Sequence, residues 1–135
     1  MADTVVFLTV ADNASSPWTR PADWNNAANH IECIGGGAGG KSVPASTTFP
    51  GGGGGAYARA NNVTLGATAA FVVGAGGAVS TDGTDTYFNG ANFGAASVGA
   101  KAGTTAGPGG AAASCTGDVK NSGGAGSGVG SSAVF

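Results

Sequence analysis

Alternating apolar and polar positions predict an all-β chain built from short strands. Residues 5–10 are almost wholly apolar and β-prone, a pattern typical of a strand covered on both faces. Residues 30–34 predict a second strand, with Ile31 and Cys33 on one face and His30 on the other. These two segments give the clearest strand signals in the first third of the chain.

A third predicted strand, residues 57–65, has two unlike faces. One face carries Tyr57, Arg59 and other large side chains, and the other carries only small ones, three of them alanine when Ala56, just before the strand, is included. A face of small side chains lets another layer approach more closely than the usual ~10 Å between sheets. Residues 69–73 predict a fourth strand, residues 18–20 a short extended piece, and residues 86–88 and 96–98 weaker strands around a turn.

Glycine interrupts this pattern in blocks. The chain has 28 glycines in 135 residues, about three times the usual share. The blocks cover residues 35–40, 51–55 and 74–77, and a looser one spans residues 99–130. No window there predicts a convincing helix, because good helix formers other than alanine are scarce.

The glycine blocks are either flexible linkers or ordered extended threads. Glycine-rich segments can adopt polyproline-II-like threads with three residues per turn, packed side by side with glycines at the contacts. A collagen triple helix is excluded because no strict three-residue repeat is present. Val119, Val129, Val134 and Phe135 would anchor residues 99–135, so we expect threads. The predicted fold is a small, jelly-roll-like β-sandwich with glycine threads and long loops.

Composition and charge limit the classes of function. The length fits one domain, residues 1–135, with a strand and possible attachment segment in 1–16. Only 9% of the residues are charged and the net charge is -2, with the basic residues scattered singly. We therefore expect no nucleic-acid binding. The longest apolar run is too short to span a bilayer, and the N-terminus lacks the basic region of a standard signal peptide.

Cys33 and Cys115 are the only cysteines. They could form one disulfide in an extracellular product, or they could be two small buried thiols. His30 is the only histidine, so a histidine-based metal cluster is impossible, and we expect His30 on the surface of a strand. Asp82 and Asp85 lack the remaining ligands of a calcium loop and predict a solvated turn. We assign no catalytic, cofactor-binding or metal-binding residue.

One motif resembles a phosphate-binding loop. Residues 35–42 read Gly-Gly-Gly-Ala-Gly-Gly-Lys-Ser and satisfy the pattern G-x-x-x-x-G-K-[ST] after a predicted strand. Such a loop needs a helix immediately afterwards, because the helix N-terminus supplies amides to the phosphate. Here Pro44, Pro50 and five glycines follow. The sequence therefore argues against nucleotide binding, and we expect no cofactor.

Aromatic residues allow two interpretations. They could form a carbohydrate-binding face, or they could fill the core and cover gaps that glycine leaves. We favour the second interpretation, and the sequence identifies no receptor-binding residue. The residues concerned are Trp18, Trp24, Tyr57, Tyr87, Phe88 and Phe93.

The order of several markers resembles a family. The chain reads Pro-Trp-Thr-Arg-Pro at residues 17–21 and Trp24, then a strand into a glycine run, Gly-Ala-Tyr at 55–57 and Val-Gly-Ala-Gly-Gly at 73–77. This order resembles the glycine-rich virion proteins of tailed bacteriophages and prophages, over roughly residues 18–130. The resemblance implies a non-enzymatic component of the virion, often at tail-fibre tips or spikes, where glycine-rich domains present loops to the host surface.

From the resemblance we expect a tail-fibre, spike or head-fibre subunit with structural and host-attachment roles. Its partners would be other virion proteins, a host-surface glycan or protein, and copies of itself, most plausibly in a homotrimer. Residues 5–10 or Val134 and Phe135 would be buried between subunits. A capsid-decorating protein, a bacterial adhesin or carbohydrate-binding module, and an ice-binding protein are the alternatives. An enzyme is the least favoured class.

Overall fold

The computed structural model describes residues 4–42 and 49–128, and it contains eight short strands. Three 3₁₀ helices, Val10–Ser15, Phe93–Ala95 and Ala112–Ser114, complete the regular structure of these residues. Val129, Val134 and Phe135, expected above to be anchors or interface residues, lie outside the described residues. The strands are β1 Trp18–Thr19, β2 His30–Ile34, β3 Tyr57–Asn61, β4 Thr68–Ala69, β5 Phe71–Val72, β6 Thr86–Phe88, β7 Val98–Ala100 and β8 Val119–Asn121.

The strands form two facing sheets and one small strand pair. One sheet has the order β2-β3-β8, the other has the order β5-β6-β7, and β1 pairs with β4. All pairings are antiparallel. β7 packs across β2 and β3, and β6 packs across β2. The predicted all-β fold with two packed sheets is confirmed.

Small side chains fill the space between the sheets. Ala58 on β3, and Val98 and Ala100 on β7, have no exposed surface. The predicted alanine face of β3 therefore points into the core. Because these side chains are short, the sheets can approach closely, and larger residues such as Leu65 and Phe71 pack at the margins.

The predictions for residues 18–20, 30–34 and 86–88 hold as β1, β2 and β6, and the other strand predictions fail in detail. The predicted strand at 57–65 ends after Asn61, because Asn62 adopts the left-handed conformation with φ of 53°. The predicted strand at 69–73 is divided between β4, which pairs with β1, and β5, which pairs with β6. The weak strand expected at 96–98 is instead β7, which begins at Val98.

The predicted strand over residues 5–10 does not form. Val5 is 70% exposed and Phe7 is 85% exposed. The Thr9 amide donates to Asp12 Oδ2 at 2.6 Å, and this contact starts a 3₁₀ helix at Val10. The run is apolar enough for a core strand, but the strand pairings of the described sheets do not include it. The hydrophobic pattern alone could not reveal that these residues pair with none of the strands.

Seven glycine-containing segments continue from the sheets as extended threads. They are named T1 to T7 in chain order, and each joins a strand or 3₁₀ helix at one end. In the described residues they are T1 (35–40), T2 (51–56), T3 (74–78), T4 (81–85), T5 (101–104), T6 (107–110) and T7 (123–128).

Hydrogen bonds between threads recur every third residue. Gly35 and Ala38 of T1 donate to carbonyls of T2 at 2.9 and 2.8 Å, and Gly36 and Gly39 donate to T4 at 3.0 Å each. The amides of T2 alternate in the same way between T5 and T7. A three-residue spacing is the repeat of a polyproline-II thread. The looser glycine segment is therefore ordered through T5, T6 and T7, as the thread interpretation predicts.

The bonding pattern defines two layers. T3, T1, T2 and T7 lie side by side in one layer, and T4, T5 and T6 form the second layer over the gaps between them. T1 and T2 are central, because each bonds or contacts four other threads. The other threads lie at the edges or in the thinner layer.

Glycine is required wherever a thread turns a Cα toward a neighbouring carbonyl. A methyl group at Gly55 would overlap the carbonyl oxygen of Gly35, and one at Gly126 would overlap that of Gly51. Close Cα–H···O contacts of this kind supplement the N–H···O bonds. T1 and T2 have two such positions per turn, whereas T3 and T7 have one. This difference explains why no strict glycine repeat is needed.

The two cysteines are buried free thiols rather than a disulfide. Cys33 is 4% exposed on β2, opposite Ala58 of β3. Burial raises the pKa of the Cys33 thiol to about 12. Cys115 accepts a hydrogen bond from the Lys101 amide at 3.3 Å. Both thiols thus act as small core side chains.

Two glycines of T7 give a matched test of thread packing. Gly126→Ala places a methyl group on the Gly51 carbonyl and should lower the free energy of unfolding by about 1–3 kcal/mol. Gly128 has no atom within 4 Å in that direction, so Gly128→Ala should raise it by about 0.4–1 kcal/mol. Denaturant unfolding measures both values. Equal effects at the two positions would contradict the thread packing.

Cys33 should make stability fall at alkaline pH. Its folded pKa is raised, so its contribution is complete below the unfolded pKa and is lost as the pH rises toward about 12. In a Cys115→Ser background, we expect Cys33 to react with a thiol reagent at pH 9 only after denaturation. Rapid labelling of the native chain, with unfolding excluded by circular dichroism, would show that the thiol is accessible.

Candidate functional site

The directions of the threads place their connections at one end of the molecule. T1, T3, T5 and T7 run away from the sheets, and T2, T4 and T6 run back toward them. Residues 41–42 at the end of T1, residues 49–50 before T2, and the turns 79–80 and 105–106 therefore meet at the far end of the bundle, together with the end of T7. We call the described residues of this end, 41–42, 49–50, 79–82, 105–108 and 126–128, the distal tip.

Backbone and side-chain hydrogen bonds join the connections of the distal tip. The Ser42 amide donates to Ser80 Oγ at 3.0 Å, and the Ser80 amide donates to the Gly40 carbonyl at 2.9 Å. The Gly126 amide donates to the Gly107 carbonyl at 2.7 Å. Gly107 has φ of 105°, which favours glycine at the start of T6. These bonds hold adjacent connections at fixed positions.

Asp82 links two connections through one carboxylate. The Thr105 amide donates to Asp82 Oδ1 at 2.6 Å. This backbone bond, a side-chain bond from Thr105 and the nearby Lys41 charge hold the pKa of Asp82 below its usual value. The carboxylate is therefore ionised in neutral solution and occupied by structural bonds.

The exposed groups of the distal tip are suited to recognition. Val79 is 69% exposed. Ser80 and Thr81 are also exposed, although the Ser80 hydroxyl accepts from the Ser42 amide and the Thr81 hydroxyl donates to the Val79 carbonyl at 3.4 Å. The Lys41 ammonium lies 5.4 Å from the centre of the Phe49 ring. An apolar side chain, an aromatic ring, a cation and hydroxyls together can bind a polar surface group by contact and hydrogen bonding.

The phosphate-loop pattern has a different role in the structure. Its residues 35–40 form T1, and the amides of Gly35, Gly36, Ala38 and Gly39 donate to carbonyls of neighbouring threads. A phosphate loop needs converging free amides. The sequence match therefore arises from thread packing.

Most of the aromatic residues stabilise the core. Trp18 packs edge-on against Trp24 and Phe88, with ring centres 5.9 and 5.7 Å apart. Phe93 lies against Gly99, where a methyl group would be 2.9 Å from its ring, and the Lys101 ammonium lies 4.8 Å from its centre. These contacts support the interpretation that aromatic rings fill space left by glycine.

An open cleft of about 380 Å³ lies between T4 and T5. Lys101 and Asp85 form an ion pair at its edge, and Asp85 also accepts from the Ala102 amide at 2.8 Å. Residues 82–85 and 101–104 line the cleft. Its charged groups already have partners within the chain, so the cleft is a weaker site than the distal tip.

Residues 4–42 and 49–128 contain no group of three potential metal ligands, and Asp82 and Asp85 have the bonds given above. No helix within these ranges is long and apolar enough to cross a membrane. His30 is exposed, 3.9 Å from Glu32, at the end of β2 that lies away from T1.

Sequence reasoning missed the distal tip as a site. The signal was present, because each polar connection in 41–50, 79–80 and 105–106 follows one glycine thread and precedes another. Convergence of the three connections depends on thread directions, which hydrogen bonds between distant segments determine.

The Asp82 contact predicts an acid-sensitive distal tip. Since the folded pKa lies below the usual 3.8, the stabilisation is present above the unfolded pKa and is lost as the pH falls through the folded pKa. NMR titration should give a carboxyl midpoint below 3.8 for Asp82, and the Thr105 amide shift should follow the same midpoint. A midpoint at or above that value would contradict the contact.

Comparison of the chain with protein-family models, with curated proteins and with solved structures finds no match.

Proposed function

We propose that the protein is a non-enzymatic structural subunit of a virus particle, in a tail fibre, spike or head fibre, and that its distal tip meets the host surface. The observation that carries the proposal is the gathering of the thread connections at the end opposite the sheets. A rigid body that presents loops at one end fits an attachment role. The family resemblance of the sequence points the same way.

The thread bundle supplies the stiffness that such a subunit needs. Each central thread is held by hydrogen bonds to several neighbours at three-residue intervals. Bending the bundle would break bonds in more than one thread at once. Few charged groups are involved, so the stiffness depends little on ionic strength.

The N-terminal segment offers a means of attachment to the particle. Val5, Val6 and Phe7 are 70%, 54% and 85% exposed. The segment is anchored at its other end, where the Asn13 side chain bonds both the amide and the carbonyl of Val73 at 2.7 and 2.9 Å. Covering exposed apolar residues of this kind with a second subunit or another virion protein lowers the free energy, because apolar surface is removed from water.

A bacterial surface adhesin is the second candidate. The same exposed groups of the distal tip, Val79, Ser80, Thr81 and the Lys41–Phe49 pair, favour it. The two candidates differ in location, because only the first protein is part of a purified particle. Mass spectrometry of particles purified by density gradient, against the membrane fraction of the same culture, distinguishes them.

Binding at the distal tip is tested on cells of the bacterial host with the fluorescently labelled chain. Val79→Glu adds a charge and removes an exposed apolar contact, and we expect it to reduce cell binding at least tenfold. Ala28→Glu adds the same side chain at another exposed position, near the sheets, and should leave binding unchanged. Equal binding by both variants and the unsubstituted chain would remove the distal tip as the contact site.

A further inference from the structure

The two layers of the thread bundle have very different outer surfaces. The outer surface of the three-thread layer carries side chains, among them Asp82, Thr84, Lys101, Thr104 and Pro108. On the outer surface of the four-thread layer, the residues that the central threads T1 and T2 turn outward are all glycines, so they carry no side chains. We call this surface the bare face; it is formed by Gly37, Gly40, Gly51, Gly54, Gly76 and Gly124.

Packing within the chain does not explain these glycines. A methyl group at Gly37 would be 3.6 Å from its nearest neighbour, one at Gly76 would be 3.7 Å away, and one at Gly124 would meet nothing within 4 Å. Alanine would therefore fit at these positions and would cost less backbone entropy on folding. The absence of side chains points to a requirement from outside the chain.

The bare face also presents unused backbone hydrogen-bonding groups. Successive amides of a thread point in three directions, one for each residue of the three-residue turn. In T1 the amides in two of these directions donate to T2 and T4. The amides in the third direction, those of Gly37 and Gly40, point away from the bundle. In T2 the third direction is used by Gly52 and Gly55. These four amides have no acceptor among residues 4–42 and 49–128.

Two carbonyls of the central threads can still accept an N–H. Those of Ala38 and Gly52 receive no backbone N–H from the described part of the chain, and the Cα of Gly52 lies against the Ala38 carbonyl, at the boundary between T1 and T2. The bare face thus combines donors and acceptors at the three-residue spacing of the threads. It is the thread counterpart of an unpaired strand edge, which is a template for another backbone.

We propose that the bare face docks a second copy of this chain, four-thread layer against four-thread layer. A partner that pairs with this surface must present backbone N–H and C=O groups at three-residue spacing. It must also have no side chains that would lie between the two surfaces. The bare face itself has both properties, so two copies related by a two-fold axis are complementary. Side chains on an ordinary protein surface would hold the backbones apart.

Sedimentation of the full chain tests this assembly, independently of where the protein is located. We expect twice the mass of one chain at micromolar concentration. The double variant Gly37→Gln, Gly54→Gln places long side chains on the bare face and should sediment at the mass of one chain. Ala102→Gln, which extends into the open cleft of the other layer, should leave the mass of two chains. Circular dichroism checks that all variants are folded.

Amide hydrogen exchange gives a second measurement. Docking protects the Gly55 amide, so its exchange should be at least tenfold slower in the unsubstituted chain than in the double variant. A chain that sediments as a monomer, or an oligomer whose mass the double variant does not change, would overturn the proposal. Thermal hysteresis of a monomer that the double variant abolishes would assign the bare face to ice and would overturn it as well.

Discussion

The structure depends on direct contact between main chains. In the bundle, N–H···O bonds hold neighbouring threads together, and a Cα beside a carbonyl allows the approach that these bonds need. Glycine loses more backbone entropy on folding than any other residue. That cost is offset because each central thread bonds to several neighbours, rather than to the two available to a strand.

The two sheets are also closely packed, because small side chains lie between them. Ala58 and Ala100 are fully buried between the sheets, and the threads emerge directly from the strands that carry such residues. Alanine fills the close contacts between the sheets, and glycine fills the close contacts between the threads. The strands and threads therefore form one continuous body, and Ala56 at the end of T2 belongs to the same side-chain core as the strands.

Local features of the fold could be predicted from the sequence, and long-range ones could not. The alternation in residues 30–34 predicts β2 with its inward Cys33, and glycine blocks predict ordered threads. The predicted strand over residues 5–10 was wrong, because an apolar pattern does not show whether a segment will pair with another strand. The single strand predicted over residues 69–73 was wrong, because its two halves pair with different strands, β1 and β6. The distal tip was missed because its parts are far apart in sequence.

The turn between T3 and T4, at residues 79–80, and the turn between T5 and T6, at 105–106, each join two threads that are already fixed in the bundle. Loop-closure entropy grows only slowly with loop length. Longer peptides could therefore be inserted after Ser80 or after Thr105 at little entropic cost, provided that the hydrogen bonds of these two residues are kept. The molecule is in this respect a ready-made display scaffold, in which foreign sequences of varied length can be mounted side by side on a rigid support.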